Sequence, residues 1–137
     1  MRQILATGAC LALLGCTLDT VTSRYDTLEE ARADRLFERG WLPDILPAST
    51  NKIRTENELD FNLSEGEFSF SPADAELFFR QLSPEAPPTS RLDDWERTVS
   101  SYKRDGYSAW SYRNGDSTWA FFCRDAQGHC DYIMWLS

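Results

Sequence analysis

Apolar residues recur at helical spacing in three stretches of the chain. The first runs from about Leu28 to Arg39, after a capping box at Thr27 and before a stop at Gly40. The second begins at Ser71, and its apolar residues fall at i, i+3, i+4 and i+7: Ala75, Phe78, Phe79 and Leu82. The third runs from about Arg91 to Tyr102 and carries Leu92, Trp95, Val99 and Tyr102. The spacing predicts three helices.

Alternating apolar and polar residues predict strands in the remaining segments. Ile53 to Leu63 has this pattern, and we expect it to turn at Glu65-Gly66 and return through Phe70. This first hairpin is apolar on one face and polar on the other. Three further strands are predicted at Tyr107–Arg113, Ser117–Arg124 and Cys130–Leu136, the first two joined by an Asn114-Gly115 turn.

The three C-terminal strands are apolar on both faces. Pairing them around Asn114-Gly115 and a Cys123–Cys130 bridge places two sets of side chains on opposite faces. One face then carries Trp110, Tyr112, Trp119, Phe121, Tyr132 and Met134; the other carries Tyr107, Ala109, Thr118, Ala120, Phe122, Ile133 and Trp135.

Helices and antiparallel strands occur in separate blocks, which indicates an α+β fold. We expect a two-layer domain, in which an antiparallel sheet of about five strands has two to three helices packed on one face. Residues 26–137 are enough for a single globular domain of this kind.

The segment from Gly40 to Pro47 is apolar but cannot be a helix or a central strand. Pro43 and Pro47 each remove a backbone donor and fix φ, and Trp41 and three aliphatic residues lie around them. We interpret it as a structural loop, marked by Trp41, Pro43 and Pro47, that covers apolar surface of the sheet.

The N-terminus has the pattern of a secretory signal sequence. Arg2 precedes an apolar run that is too short to span a bilayer. The stretch Leu13-Leu14-Gly15-Cys16 resembles a bacterial lipobox, which implies cleavage after residue 15 and lipidation of Cys16. A plain secretory signal with an incidental Cys16 is the alternative. We expect a tether over residues 16–25 and a lipid-anchored protein of a bacterial cell envelope, on an outer membrane and facing the periplasm.

Cys123 and Cys130 remain as a pair in an oxidising compartment. They bracket a polar turn between two predicted strands, which favours a cross-strand disulfide. A metal site with His129 is the alternative, but one histidine and this spacing offer too few ligands for a closed zinc site. We therefore expect no metal and no cofactor.

The charge and the motifs argue against several function classes. The formal net charge of -8 argues against nucleic-acid binding, which depends on basic residues. The only histidine, His129, is expected to be solvated at a hairpin tip, where nothing orients it for catalysis. Three acidic pairs could serve a carboxylate-based hydrolase, but they also fit helix starts and edge strands: Asp93-Asp94, Glu29-Glu30 and Glu56/Glu58. We predict that the protein is not an enzyme.

Aromatic residues are numerous, with five Trp, five Tyr and eight Phe. Most of them are expected in the core, but a sheet with two apolar faces leaves one to be covered by loops or by a protein partner. The candidate binding surface comprises Trp110, Tyr112, Trp119, Phe122 and Trp135.

Asp26 to Phe79 resembles the head domain of YbbD-type bacterial lipoproteins. The resemblance is carried by Tyr25–Ala31, Gly40–Pro47, Glu58–Asn62 and the aromatic strand before Ser71-Pro72. It implies a small lipid-anchored envelope domain without an assigned reaction. A binding or structural module is thus the leading hypothesis; an inhibitor or immunity protein against a hydrolase or toxin, and a carboxylate-based hydrolase, are the alternatives.

Overall fold

In the computed structural model, which describes residues 20–137, seven strands form one antiparallel sheet and three α-helices pack on it. The predicted signal sequence and Cys16 lie outside the described residues. The α+β class is confirmed, but the sheet has seven strands rather than about five. The strands are β1 (Thr20–Thr27), β2 (Asn51–Glu58), β3 (Leu63–Ser69), β4 (Ser83–Pro84), β5 (Ser108–Asn114), β6 (Ser117–Arg124) and β7 (His129–Leu136).

The helices are α1 (Leu28–Ala33), α2 (Ala75–Phe79) and α3 (Trp95–Arg104). All three are shorter than predicted. The second is preceded by a separate 3₁₀ turn at Pro72–Asp74 and ends at Phe79. In the first and third, a residue in the left-handed region lies beside the helix. Arg35 has a φ of 60° just after α1, and Asp94 has a φ of 56° just before α3. Among residues 20–137, no helix has the length and apolar character needed to cross a bilayer.

The strand order is β1-β2-β3-β7-β6-β5-β4. The pairing of β3 with β7 joins the N-terminal strands to the C-terminal meander, with Leu63 opposite Trp135 and Ser69 opposite His129. Strand β1 includes residues 20–25, which we had assigned to the tether. Its Thr, Val and Tyr residues favour a strand, and an edge strand needs little apolar alternation.

The helices cover both faces of the sheet, so the prediction of helices on one face is wrong. On the front face, α1, α2 and the 34–50 segment cover a core that includes Ile53, Phe68 and Phe121. On the back face, α3 covers a smaller cluster around Phe122 and Trp135. The cause is the meander, which has the two apolar faces that the sequence predicts and needs a cover for each.

The Gly40–Pro47 segment lies against the front core. Leu42 and Leu46 are buried in it, Pro43 is buried, and Trp41 and Pro47 are half-buried. The indole Nε1 of Trp119 donates a hydrogen bond of 3.0 Å to the carbonyl oxygen of Trp41. The segment therefore acts as a cover, and this contact fixes it to the meander.

The turn between β2 and β3 lies at residues 59–62 and not at Glu65-Gly66. Gly66 lies inside β3, opposite Thr55. A Cβ at this position would come within 1.9 Å of the carbonyl oxygen of Arg54 and 2.9 Å of the Tyr132 ring. The glycine thus permits a close approach of neighbouring strands, a role that a sequence pattern does not separate from a turn.

We expect Gly66→Ala to destabilise the protein by about 1–3 kcal/mol or more, because the added methyl group must displace backbone. Gly115→Ala is the control, since a Cβ there meets no atom within 4 Å and only a positive φ of 62° is strained. Urea unfolding of both variants measures the difference. Equal losses of unfolding free energy in the two variants would show that the close approach at Gly66 does not determine the effect of the substitution.

Candidate functional site

The back face of β1, β2 and β3 carries charged side chains. The back face of β6 and β7, which α3 covers, is apolar instead. We call the charged region the open face and define it by Arg24, Lys52, Arg54, Glu56, Glu58, Glu65, Glu67 and the β7 residues His129 and Asp131 beside them. None of these side chains is fully buried. Because each alternate strand residue faces forward into the core, the strands hold these charged groups in fixed rows.

An acidic pocket lies where the open face meets the start of α3. Its volume is about 190 Å³. Carboxylates and apolar side chains share its wall, and the lining residues are Glu56, Glu58, Leu63, Ser64, Glu65, Leu92, Asp93, Trp95, Thr98 and Ile133. The pocket therefore combines negative charge with apolar lining residues from β3, β7 and the start of α3.

Like charges lie close together in the acidic pocket. Glu56 and Glu65 are direct neighbours on adjacent strands, an arrangement that destabilises a sheet. Partial burial raises the pKa of Glu65, and the negative charge of Glu56 raises it further. Within residues 20–137, none of the four pocket carboxylates forms an ion pair or a side-chain hydrogen bond.

A second group of polar side chains lies farther along β3 and β7, and we call it the histidine cluster: Glu67, His129 and Asp131. The Nε2 atom of His129 is 3.0 Å from Asp131 Oδ1 and 3.5 Å from Glu67 Oε1. The hydrogen bond to Asp131 raises the pKa of His129, against the opposing effect of partial burial. Burial raises the pKa of Asp131, but hydrogen bonds from His129 and Tyr102 outweigh it and the pKa is lowered.

Three neighbours hold the other polar atoms of the histidine cluster. Tyr102 donates to Asp131 Oδ2 at 2.8 Å, and Arg54 Nε donates to Glu67 Oε2 at 3.1 Å. Ser69 Oγ is 3.3 Å from Nδ1 of His129. The residue types are those of a Ser-His-Asp set, with the serine hydroxyl at Nδ1 of His129 and the Asp131 carboxylate at Nε2.

The predicted disulfide is present between Cys123 and Cys130, and both residues are buried in the front core. The five residues of the candidate binding surface do not form one surface. Trp119 is buried on the front face, and Phe122 and Trp135 are buried on the back face beneath α3. The other two, Trp110 and Tyr112, are half-buried on the front face, where the Trp110 ring stacks on Phe79.

His129 is not a solvated tip residue, as the sequence led us to expect. It is the first residue of β7, and 26% of its side chain is exposed. The spacing of His129 and Asp131 places both on one face of a strand, and this pattern could have been read from the sequence. Their neighbour Glu67 could not, because the pairing of β3 with β7 is long-range.

Residues 19–69 match the family model described as the YbbD head domain. The resemblance that we drew over Asp26–Phe79 is thereby confirmed for this segment, which covers just over a third of the chain. It contains β1, α1, the Gly40–Pro47 segment, β2 and β3. Comparisons with curated proteins and with solved structures found no match.

We expect Glu65→Gln to raise the melting temperature at pH 7 and to leave it unchanged near pH 3. A pKa that is raised in the folded state means that ionisation of Glu65 costs stability above that pKa, and that this cost disappears on protonation. Glu29→Gln, on the exposed surface of α1, is the control and should show no such gain. A lower melting temperature for Glu65→Gln at pH 7 would contradict the prediction.

Proposed function

We propose that the protein is a lipid-anchored binding module of a bacterial envelope, without catalytic activity, that takes a basic side chain of a protein partner into the acidic pocket. The observation that carries this proposal is the set of four carboxylates in the pocket, none of which has an ion-pair partner within residues 20–137. Opposite charges across an interface steer association and fix its register. A cation from a partner would supply the opposite charge that these carboxylates do not meet within residues 20–137.

The size of the acidic pocket supports one inserted side chain. Its volume of about 190 Å³ lies below the roughly 300–1,000 Å³ that is usual for pockets that bind drug-sized molecules. Lysine and arginine have an apolar stem below a charged head. Leu63, Trp95 and Ile133 can contact such a stem while the carboxylates neutralise the head.

Anchoring is supported by the lipobox and by the position of β1. Only four residues lead from Cys16 to Thr20, which limits the distance between them to about 14 Å. Thr20 pairs with Glu58, beside the 59–62 turn, where Leu59 is 48% exposed and Phe61 is 61% exposed. These side chains can rest in the interface of the same membrane, since exposed apolar residues beside a lipid anchor strengthen its attachment. Placement on an outer membrane, facing the periplasm, is part of the proposal.

An inhibitor or immunity protein would use the same pocket against a basic target, and the identity of the partner separates that role from a structural one. A carboxylate-based hydrolase is favoured by one observation, the pairing of Glu56 with Glu65 and the raised pKa of Glu65. Glycosidase carboxylates, however, flank the bond that is cleaved. Glu56 and Glu65 lie side by side on one sheet face, which suits binding better.

The probe for the pocket is N-acetyl-lysine methylamide, titrated into the isotopically labelled protein and followed by NMR. We expect saturable shifts at Glu56, Glu65 and Ile133 that weaken with added salt. The norleucine analogue, which keeps the stem but lacks the ammonium group, should not produce them.

The double variant Glu56→Gln, Glu65→Gln should lose the lysine-dependent shifts, and Glu29→Gln should keep them. Shifts that are spread evenly over the surface, or that persist in the double variant, would reject the pocket as the site.

The anchor is tested separately by Cys16→Ala, which should move the protein out of the membrane fraction and leave no acylated N-terminus by mass spectrometry. Cys10→Ala, in the predicted signal sequence, is the matched control and should remain in membranes. Retention of the Cys16 variant in membranes would require another anchor.

A further inference from the structure

The histidine cluster brings one imidazole and two carboxylates together on the back face of the sheet. We propose that Glu67, His129 and Asp131 form a binding site for a divalent transition metal, with Zn²⁺ as the best match. One ligand atom from each residue faces a common point: Oε1 of Glu67, Nε2 of His129 and Oδ1 of Asp131. These atoms lie within 4.8 Å of one another.

The distances between the ligand atoms suit a small ion. Zinc lies about 2.0–2.2 Å from nitrogen and oxygen ligands. Tetrahedral geometry then separates two ligand atoms by roughly 3.3–3.6 Å. His129 Nε2 is 3.5 Å from Glu67 Oε1 and 3.0 Å from Asp131 Oδ1. The third pair, Glu67 Oε1 and Asp131 Oδ1, lies within 4.8 Å, so adjustment of these side chains can bring all three atoms to an ion.

The supporting contacts are a second and independent observation. Histidine ligands of metals usually have their other ring nitrogen hydrogen-bonded, and ligating carboxylates are held in the same way. Here Ser69 holds Nδ1 of His129, Tyr102 holds Oδ2 of Asp131 and Arg54 holds Oε2 of Glu67. Each of the three residues therefore has one atom fixed by a neighbour, and its second polar atom contacts another member of the cluster. A metal ion would replace these contacts within the cluster.

The type of ligand selects the class of metal. One imidazole and two carboxylates suit zinc and its first-row neighbours, whereas magnesium and calcium prefer oxygen ligands alone. Three protein ligands leave a fourth position for water or substrate, which is typical of zinc sites that are not purely structural. The cluster can be reached from solvent, because the three side chains are between 26% and 40% exposed.

Glu67 and His129 also line a surface cavity of about 410 Å³, together with Arg24, Lys52 and Arg54. These basic side chains favour an anionic group as the additional ligand. The proposal uses residues outside the acidic pocket and is independent of both the lysine site and the lipid anchor.

The test is isothermal titration of the full protein with Zn²⁺. One ion per chain should bind saturably, and Co²⁺ in its place should give the intense visible absorption of a low-coordinate site. Glu67→Gln, His129→Gln and Asp131→Asn should each abolish measurable binding. Glu29→Gln should bind as the unaltered protein does.

Ser69→Ala and Tyr102→Phe test the supporting contacts without removing a ligand. Each should weaken Zn²⁺ binding by about 10–100-fold, with circular dichroism unchanged. The proposal is overturned if the unaltered protein shows no saturable Zn²⁺ binding. It is also overturned if binding survives the three ligand substitutions.

Discussion

The pairing of β3 with β7 is the contact on which the rest of the structure depends. It joins the three N-terminal strands to the four strands formed by the second half of the chain, neither of which has a complete core by itself. On the front face of these strands, the Ser64 hydroxyl donates a hydrogen bond to Asn57. It also shares a hydrogen bond of 2.7 Å with the buried Tyr132 hydroxyl. Buried polar groups of this kind are costly unless paired, so they favour one register of the two strands.

Both candidate sites lie on this seam. The acidic pocket takes Glu65 from β3 and Ile133 from β7, and the histidine cluster takes Glu67 from β3 and Asp131 from β7. Side chains on adjacent strands keep fixed separations. A slip of one residue in either strand would turn that strand's members of both sites to the front face. The same register therefore determines the core and the arrangement of the charged groups.

Local features of the sequence are sufficient to predict the meander and which residues of the α2 region are buried, although the helix itself is shorter than predicted. The Asn114-Gly115 turn and the Cys123–Cys130 bridge determined which residues share a face, and the structure has the same two sets. The spacing of Ala75, Phe78 and Leu82 placed them in the core. In these cases the residues that determine the structure lie within a few positions of one another.

The failures have a common cause in contacts that are distant along the chain. Gly66 was interpreted as a turn because the nearby backbone of Arg54 and ring of Tyr132 are invisible in a local pattern. The residues that begin β1 have no apolar alternation, and they form a strand because β2 offers them an edge. A polar face on the first hairpin is predicted from the sequence, but the residues that share the open face are not, since they depend on the pairing of β3 with β2 and β7.

The disulfide between Cys123 and Cys130 is linked through β7 to the residues of the open face. Cys130 lies between His129 and Asp131 in β7, with its sulfur on the opposite side of the strand from theirs. The bond to Cys123 ties the start of β7 to the end of β6, across the turn that leads into His129. The bond in the front core thus places a covalent constraint one residue away from the imidazole on the back face. Formation of that bond and the final geometry of the histidine cluster are therefore coupled through β7.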